Sequence, residues 1–400
     1  MAGNGAGECS TRMEKPCRTD ESCSASGRRP MTPAVRKREA QIRGSIGRRG
    51  FFKFLGLGTL GLGFGVSIFN TIFATSEVNG AVEESAEETK HRLIMIGTVD
   101  FMGFKAKEIT PNEEFYITTY STVTPDVDAS KHRLRVEGLV GKPSVFTMAD
   151  LDAMKDKKEF VTLQCIGNPV GGSSIGNALW EGINLGRVPE SAYPGSGIAK
   201  AALFGEDGYS DSIPYKLAQS DDVFLAWRMN GDPLPKEHGY PLRLIVPGIY
   251  GMKNVKWISK VELVNYDFKG FWEKEGWSDE AVIRLKSEIL MPMSGKSIPL
   301  GKYVVGGIAF GGRYGVSRVQ VSVDGGKTWA DGHVKPPLSK WSWSLWEYDW
   351  TPQRKGDYGI AVRGVDRSGK VQESTSLLGR ITGSFPSGAK GIHQVDVTVM

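Results

Sequence analysis

Cysteine is scarce in this 400-residue chain and unevenly spread: Cys9, Cys17 and Cys23 precede residue 30, leaving Cys165 as the sole thiol beyond it. One thiol cannot build a disulfide framework, so the body is not a stapled mini-scaffold. The first three have neither CxxC nor CxxCH spacing, and no metal or haem attachment is read from them. Net charge is small as well. The total is +5, but residues 1–76 hold twelve Lys/Arg against five Asp/Glu, so the remainder carries −2. A body so close to neutral shows no nucleic-acid footprint. An uninterrupted apolar run is also missing. Residues 56–73 are apolar, yet five glycines fall between Gly56 and Gly65. These lower helix propensity and hydrophobicity below what a stable membrane span needs.

The length fits two or three domains, and the composition is that of an ordinary globular protein. Residues 1–47 are polar and basic and read as a disordered extension, with Met31 an alternative initiator. Arg48-Arg49 ahead of the glycine-rich apolar stretch is the pattern of a Tat export signal over 48–76. Ala74 and Ala81 are candidate cleavage points, and an uncleaved peptide would serve as an N-terminal membrane tether. Residues 77–92, with Glu83, Glu84, Glu87 and Glu88, form an acidic linker. Two folded regions are expected after it, 93–285 and 286–385, followed by a tail over 386–400.

In the first region, 114–122 and 134–140 alternate and are β-branched or aromatic, as strands are. Thr147 is an expected N-cap of a short helix. Residues 222–229 form a strand that turns at Asn230-Gly231. Strands with few, short helices predict an α+β fold. From about Ser287 the chain changes to dense strands and Gly-rich turns: 302–310, 316–323, an aromatic strand pair carrying Trp341, Trp343, Trp346 and Trp350, and 358–366. This argues a β-sandwich. Ser322 to Trp329 matches an Asp-box, S-x-D-x-G-x-T-W. A propeller would repeat that motif, so its single occurrence is read as a turn.

The richest stretch is 160–183. A short apolar, β-prone run over 160–163 ends in Gln164-Cys165-Ile166-Gly167-Asn168-Pro169, which a strand cannot continue through. A soft ligand is thus delivered at a strand end, beside backbone that can approach a bulky group. A lone cysteine is commonly a small buried hydrophobe. Here, however, Gln164 to Asn168 together with Asn177-Ala178-Leu179-Trp180-Glu181-Gly182 resembles the molybdenum-cofactor core of the sulfite oxidase family. The resemblance runs over roughly 95–385. It implies that Cys165 ligates molybdenum beside a molybdopterin dithiolene, a soft thiolate on a thiolate-rich centre. It also implies that the C-terminal region is an immunoglobulin-like dimerisation domain, and the protein a homodimer.

A second signature runs from His238-Gly239-Tyr240-Pro241-Leu242-Arg243 through Val246-Pro247-Gly248 to Val255-Lys256-Trp257. Physically, His238, Arg243, Lys253 and Lys256 lie near glycine-permitted bends and suit a phosphate or pyrophosphate tail. By resemblance, His238, Arg243, Asn254, Val255 and Lys256 hold the pterin and its phosphate. Asp207 accepts from the pterin, and Tyr209 is an active-site tyrosine. Thr118, Thr119 and Tyr120 hydrogen-bond the cofactor, and Arg313, on a Gly-Gly loop, is a candidate to reach the metal.

The chain departs from sulfite oxidases proper at two places. Pro169 stands where they carry an arginine, and Tyr116-Ile117-Thr118-Thr119-Tyr120 lacks the arginine and histidine of their Tyr-x-Arg-Asn-His stretch. Those arginines would pair with an oxyanion, so sulfite has lost its obvious partners. The expectation is an exported molybdenum oxidoreductase transferring an oxygen atom to or from a small oxo-acceptor or oxo-donor. Without a CxxCH motif, electrons pass through a separate cytochrome or quinone-linked protein. The alternatives are a sulfoxide or N-oxide reductase of the same fold, and a cofactor-free exported β-sandwich interaction protein.

Overall fold

A computed structural model describes residues 98–101, 104–375 and 383–400. The chain divides into two compact units, 1–82 and 83–400, and every described residue belongs to the second. The expected extension, export signal and linker, with Cys9, Cys17 and Cys23, lie outside the described residues.

A hairpin of β1 (Thr98–Phe101) and β2 (Phe104–Lys107) comes first. It is followed by β3 (Leu134–Gly138), β4 (Ser144–Phe146), helix α1 (Met148–Ala153), β5 (Lys157–Gln164) and β6 (Ile175–Asn184). Then come α2 (Arg187–Glu190), β7 (Lys200–Gly205), β8 (Ser210–Pro214), α3 (Tyr215–Ala218), β9 (Phe224–Met229) and β10 (Asp232–Pro233). β11 (Arg243–Ile245), β12 (Ile258–Val264) and α4 (Phe271–Lys274) complete the first half. The helices are short, as the sparse 3.6-residue periodicity predicts. Thr147 caps α1 through a capping box with Asp150, which supplies two partners the helix lacks internally.

One sheet of this half has the order β10-β9-β6-β5, with β11 also on β9; the other runs β4-β3-β12-β7-β8. β5 and β6 pair antiparallel with Thr162 opposite Asn177, whose side chains bond at 3.0 Å inside the sheet. An edge strand such as β5 leaves donors and acceptors open. Here the segment 339–343 covers that edge: Thr162 N donates to Trp341 O at 3.0 Å, and Ser339 Oγ to Phe160 O at 2.6 Å. Trp341 and Trp343 therefore close the edge of the Cys165 strand rather than lie in a strand of their own.

The second half begins with β13 (Lys286–Met291), β14 (Lys296–Ile298), β15 (Tyr303–Phe310) and β16 (Arg318–Ser322). It continues with β17 (Ala330–Asp331), β18 (His333–Val334), β19 (Ser344–Trp350), β20 (Gly356–Val365) and β21 (His393–Val399). Its sheets are ordered β13-β15-β19-β18 and β14-β21-β20-β16-β17. Both contribute to one core, in which Val305 and Trp346 meet Val319, Ile360 and Val397. The Asp-box is a turn: Asp324 accepts from Thr328 N at 2.9 Å, and Trp329 Nε1 donates to Gly326 O at 3.1 Å.

Two expectations are corrected. Residues 114–122 form no strand; Phe115 and Tyr116 instead turn onto the β5–β6 sheet, Phe115 meeting Trp180 edge-on at 5.7 Å. Their alternation records that packing and not a ladder. Residues 386–400, read as a tail, contain β21, whose Val395, Val397 and Val399 alternate into the core.

Candidate active site

β5 ends at Gln164, and Cys165 begins a tight loop. Cys165 N donates to Ser174 O at 3.0 Å, Asn168 N to Cys165 O at 3.1 Å, and Ser174 N to Asn168 Oδ1 at 3.1 Å. Cys165 is the one free cysteine among the described residues. Burial pushes its thiol up, while the Gly167 and Asn168 N–H groups and the Thr118 hydroxyl favour the thiolate. The loop thus presents a shielded sulfur already surrounded by donors. Beside it, Gln164 Oε1 and Asn168 Nδ2 are buried with no hydrogen-bond partner. Buried polar atoms are seldom left so without a reason.

Tyr116 interacts electrostatically with the same sulfur. Burial and Cys165 raise its phenol, and Arg243 opposes them. A Cβ on Gly251 would sit 2.9 Å from its hydroxyl oxygen, so glycine there lets the Val246–Lys256 loop close over the tyrosine. Sequence reasoning passed over Tyr116; its neighbours in the motif were the signal.

Arg243 opens β11 and is 5 % exposed. Its Nη1 donates to His238 O at 2.9 Å, Nη2 to Asn254 O at 3.4 Å, and its Nε has no partner. The guanidinium lies over Trp180 at 4.9 Å, and burial lowers its pKa to about 10. His238 is brought beside it by Gly239, at φ +109, where a Cβ would meet Arg243 Cβ at 3.0 Å and Lys256 Cβ at 3.1 Å. Glycine here allows the basic side chains of His238, Arg243 and Lys256 to converge this closely. His238 Nε2 lies 3.1 Å from Asn112 O, and burial with Arg243 lowers the ring to about 4. Lys256 donates to Glu237 O at 2.8 Å, and burial together with Arg243 lowers it to about 7.

Asp207 accepts from Tyr209 N at 3.0 Å, and burial raises its carboxyl while Lys256 opposes. Tyr120 packs on Tyr209 at 5.7 Å and on Phe271 at 4.8 Å. The structure therefore brings Asp207, Tyr120, Lys256, Arg243 and His238 into one cluster, with Tyr116 linking Arg243 to Cys165.

Several expected residues stand differently. Asn254 spends its side chain on the loop itself, accepting from Val246 N at 2.7 Å and donating to Tyr250 O at 3.2 Å. Val255 is buried and its carbonyl accepts from Leu244 N at 2.8 Å. Both hold the frame, and neither side chain is free for a ligand. Thr119 is exposed. The Tyr209 hydroxyl lies 2.8 Å from Asp211 Oδ2 and 2.9 Å from Met252 O, so it is bound within the protein rather than left open. Arg313 is exposed and stacks on Tyr314, donating to its hydroxyl at 2.8 Å, and it lines a cavity with Arg284 rather than one with Gln164 and Asn168. Arg284 is nearer: it lines a small cavity with Gln164 and Asn168, and its Nε donates to Ser387 O at 2.8 Å.

A buried guanidinium with a bare nitrogen, beside a depressed lysine and a depressed imidazole, suits an anion. The sulfur at the strand end suits a soft metal. Together they form a donor set that suits an anionic, phosphate-tailed organic cofactor beside a soft ligand. Comparison with known proteins agrees. An oxidoreductase molybdopterin binding domain matches residues 121–272, and a Mo-co oxidoreductase dimerisation domain matches 280–399. The chain is 34% identical to sulfite oxidase of Gallus gallus over 312 residues, 66% of this chain and 68% of that protein. It is 32% identical to mitochondrial sulfite oxidase of Homo sapiens, covering 67% of this chain and 58% of that protein. The fold is similar to the sulfane dehydrogenase SoxCD from Paracoccus pantotrophus, with a TM-score of 0.63, 24% identity, and 84% of this chain and 93% of that one covered. The chain belongs to the sulfite oxidase family of molybdopterin oxidoreductases, whose cofactor is molybdenum on molybdopterin. Family membership replaces the reading of a cofactor-free interaction protein.

Proposed function

We propose that this chain is an exported oxygen-atom-transfer enzyme whose molybdenum is ligated by Cys165 and whose substrate is not sulfite. The observation that carries the reading is the pairing of the Cys165 sulfur with the Arg243, His238 and Lys256 cluster, where Arg243 Nε is buried without a partner and Tyr116 interacts with both Arg243 and Cys165. Arg243 Nε, Lys256 and His238 would hold the phosphate end of the pterin. Asp207 would accept from its ring, and Gln164 and Asn168 face it with unpartnered atoms. When bound, the group supplies a two-electron metal couple that moves an oxygen atom onto or off a substrate. The chain itself shields the sulfur from water, and the Gly167 and Asn168 N–H groups and the Thr118 hydroxyl favour its deprotonated form. To ligate a metal, the Cys165 thiol would release its proton to solvent.

Substrate choice follows from what surrounds the sulfur. Thr118 and Pro169 stand where an oxyanion would need arginines. The arginine nearby, Arg284, bonds Ser387 O and lies 3.9 Å from Glu373 Oε2. A small neutral oxo-donor or oxo-acceptor, such as a sulfoxide or N-oxide, suits this better than a dianion. Cofactor-replete protein assayed with artificial electron carriers against sulfite, sulfoxides and N-oxides tests this. Turnover with sulfite at a kcat/KM above that for every neutral substrate would refute the specificity.

The twin arginine at Arg48-Arg49 supports Tat export and a possible N-terminal tether. Replacing both with lysine should leave the protein in the cytoplasm; unchanged export would reject the signal. No described helix is long and apolar enough to cross a membrane. The 280–399 match supports a homodimer built by an immunoglobulin-like sandwich. A monomer by sedimentation at micromolar concentration would reject that. Electrons pass to a separate carrier protein, a cytochrome or quinone-linked partner.

A further inference from the structure

Tyr209 has one hydroxyl proton and two acceptors facing it. Asp211 Oδ2 lies at 2.8 Å and the Met252 carbonyl at 2.9 Å. A phenol can donate to only one of them, and two bare acceptors at such distances repel. The conflict disappears if the carboxyl carries the second proton.

The other oxygen of Asp211 is already supplied. Oδ1 accepts from Ser212 N at 2.7 Å and from Lys253 Nζ at 2.7 Å, so the open position is on Oδ2, facing the phenol. Lys253 itself is fully buried and is shared with Glu273 at 2.6 Å and Asp279 at 3.0 Å. Asp279 is shared in turn with Lys200 and Lys269, which both reach Asp267. This network holds three ammonium groups and four carboxyls, and a single added proton balances it. Glu273 Oε2 is the other buried candidate, but it has no partner to donate to, whereas Asp211 Oδ2 has the phenol oxygen. The charged and titratable groups facing Asp211 and Tyr209 are thus Lys253 from the loop after Tyr250, Glu273 from α4, Asp279 beyond it, and Asp207 and Tyr120 on the cofactor side.

We propose that Asp211 is an un-ionised positioning residue of this site: its carboxyl donates to the Tyr209 oxygen, and the phenol proton is held on the Met252 carbonyl. Burial and Glu273 push the Asp211 carboxyl up to about 7, with Lys253 opposing them. Tyr209 is thereby pinned with its ring against Tyr120 and its proton on the Met252 carbonyl. Loss of the Asp211 proton lets the phenol swing its own proton to Oδ2, freeing the Met252 carbonyl. No proton is created or lost in that swing apart from the one released from Asp211 to solvent. The proposal rests on Tyr209 being the active-site tyrosine that the family resemblance implies, packed on Tyr120.

The test is infrared difference spectroscopy on the full-length, cofactor-loaded protein, comparing wild type with Asp211→Asn across the range around neutral pH. A carbonyl band of an un-ionised carboxylic acid is expected in wild type and absent in Asp211→Asn. Its midpoint should fall by about one pH unit in Tyr209→Phe, because the phenol then no longer accepts from the acid. If the phenol instead donates to a carboxylate, the same substitution raises the midpoint. An absent band, or an unchanged or raised midpoint in Tyr209→Phe, overturns the proposal. In turnover assays, Asp211→Asn keeps a donor on the phenol and should flatten the pH profile of kcat; a profile identical to wild type also overturns it. The infrared result stands without turnover, so it fails independently of the metal-ligand reading.

Discussion

A guanidinium sealed from water, with two nitrogens on carbonyls and the third bare, is a costly arrangement unless an anion completes it. Arg243 is in that state, and Gly239 forces His238 and Lys256 to share its surroundings. Charge-assisted bonds are worth about 1.5–3 kcal/mol, so Arg243→Ala should weaken retention of the cofactor by about 10–100-fold. Cofactor released on dilution of the purified variant measures this, and wild-type retention would contradict it. Lys256 offers a pH-dependent counterpart. Burial and Arg243 hold its ammonium down to about 7, so between that value and the ordinary lysine range it is largely neutral in cofactor-free protein. A phosphate group favours the charged form, and binding in that window must take up a proton. Titration calorimetry of cofactor-free protein with inorganic phosphate at about pH 8.5, in two buffers of different ionisation heat, should show that uptake. Equal heats in both buffers would place Lys256 outside the anion site.

At the scale of elements, β21 is the strand most exposed to a clean test. Val397 is buried between sheets that share Trp346 and Ile360, and Val397→Ala should cost about 2 kcal/mol. Denaturant unfolding gives the number; a change within ±0.5 kcal/mol would mean β21 is peripheral, as the sequence reading had it. That strand was missed because residues 376–392 hold no alternating pattern leading into it. Its three valines, two apart, were the available signal. By contrast, β5, β9 and β15 were legible because apolar runs bounded by Gly, Pro and Asn leave little choice. The segment around Phe115 and Tyr116 was misread for a physical reason: aromatic alternation fits any surface with a repeat of two, and here the surface is the cofactor-facing sheet. Asn254 was misread for another, since a motif position does not reveal whether its amide faces a ligand or its own loop.

For the whole molecule, the second half's two-sheet architecture and the strand-end position of Cys165 were legible in the sequence, because both lie in local patterns. What it could not show was long-range. Trp341 and Trp343 close the edge of β5 from about 180 residues away, with Trp343 N bonded to Thr162 Oγ1 at 2.9 Å. The same contact fixes the strand that delivers Cys165, so the second half supports the site mechanically. The Asp211–Lys253 network is likewise assembled from β8, the Val246–Lys256 loop and α4, and no single stretch announces it. The central claim remains the bond from Cys165 to molybdenum. X-ray absorption at the molybdenum edge should find one fewer sulfur ligand in Cys165→Ser than in wild type, with the pterin still bound and turnover lost. An unchanged sulfur shell in that variant would contradict the account.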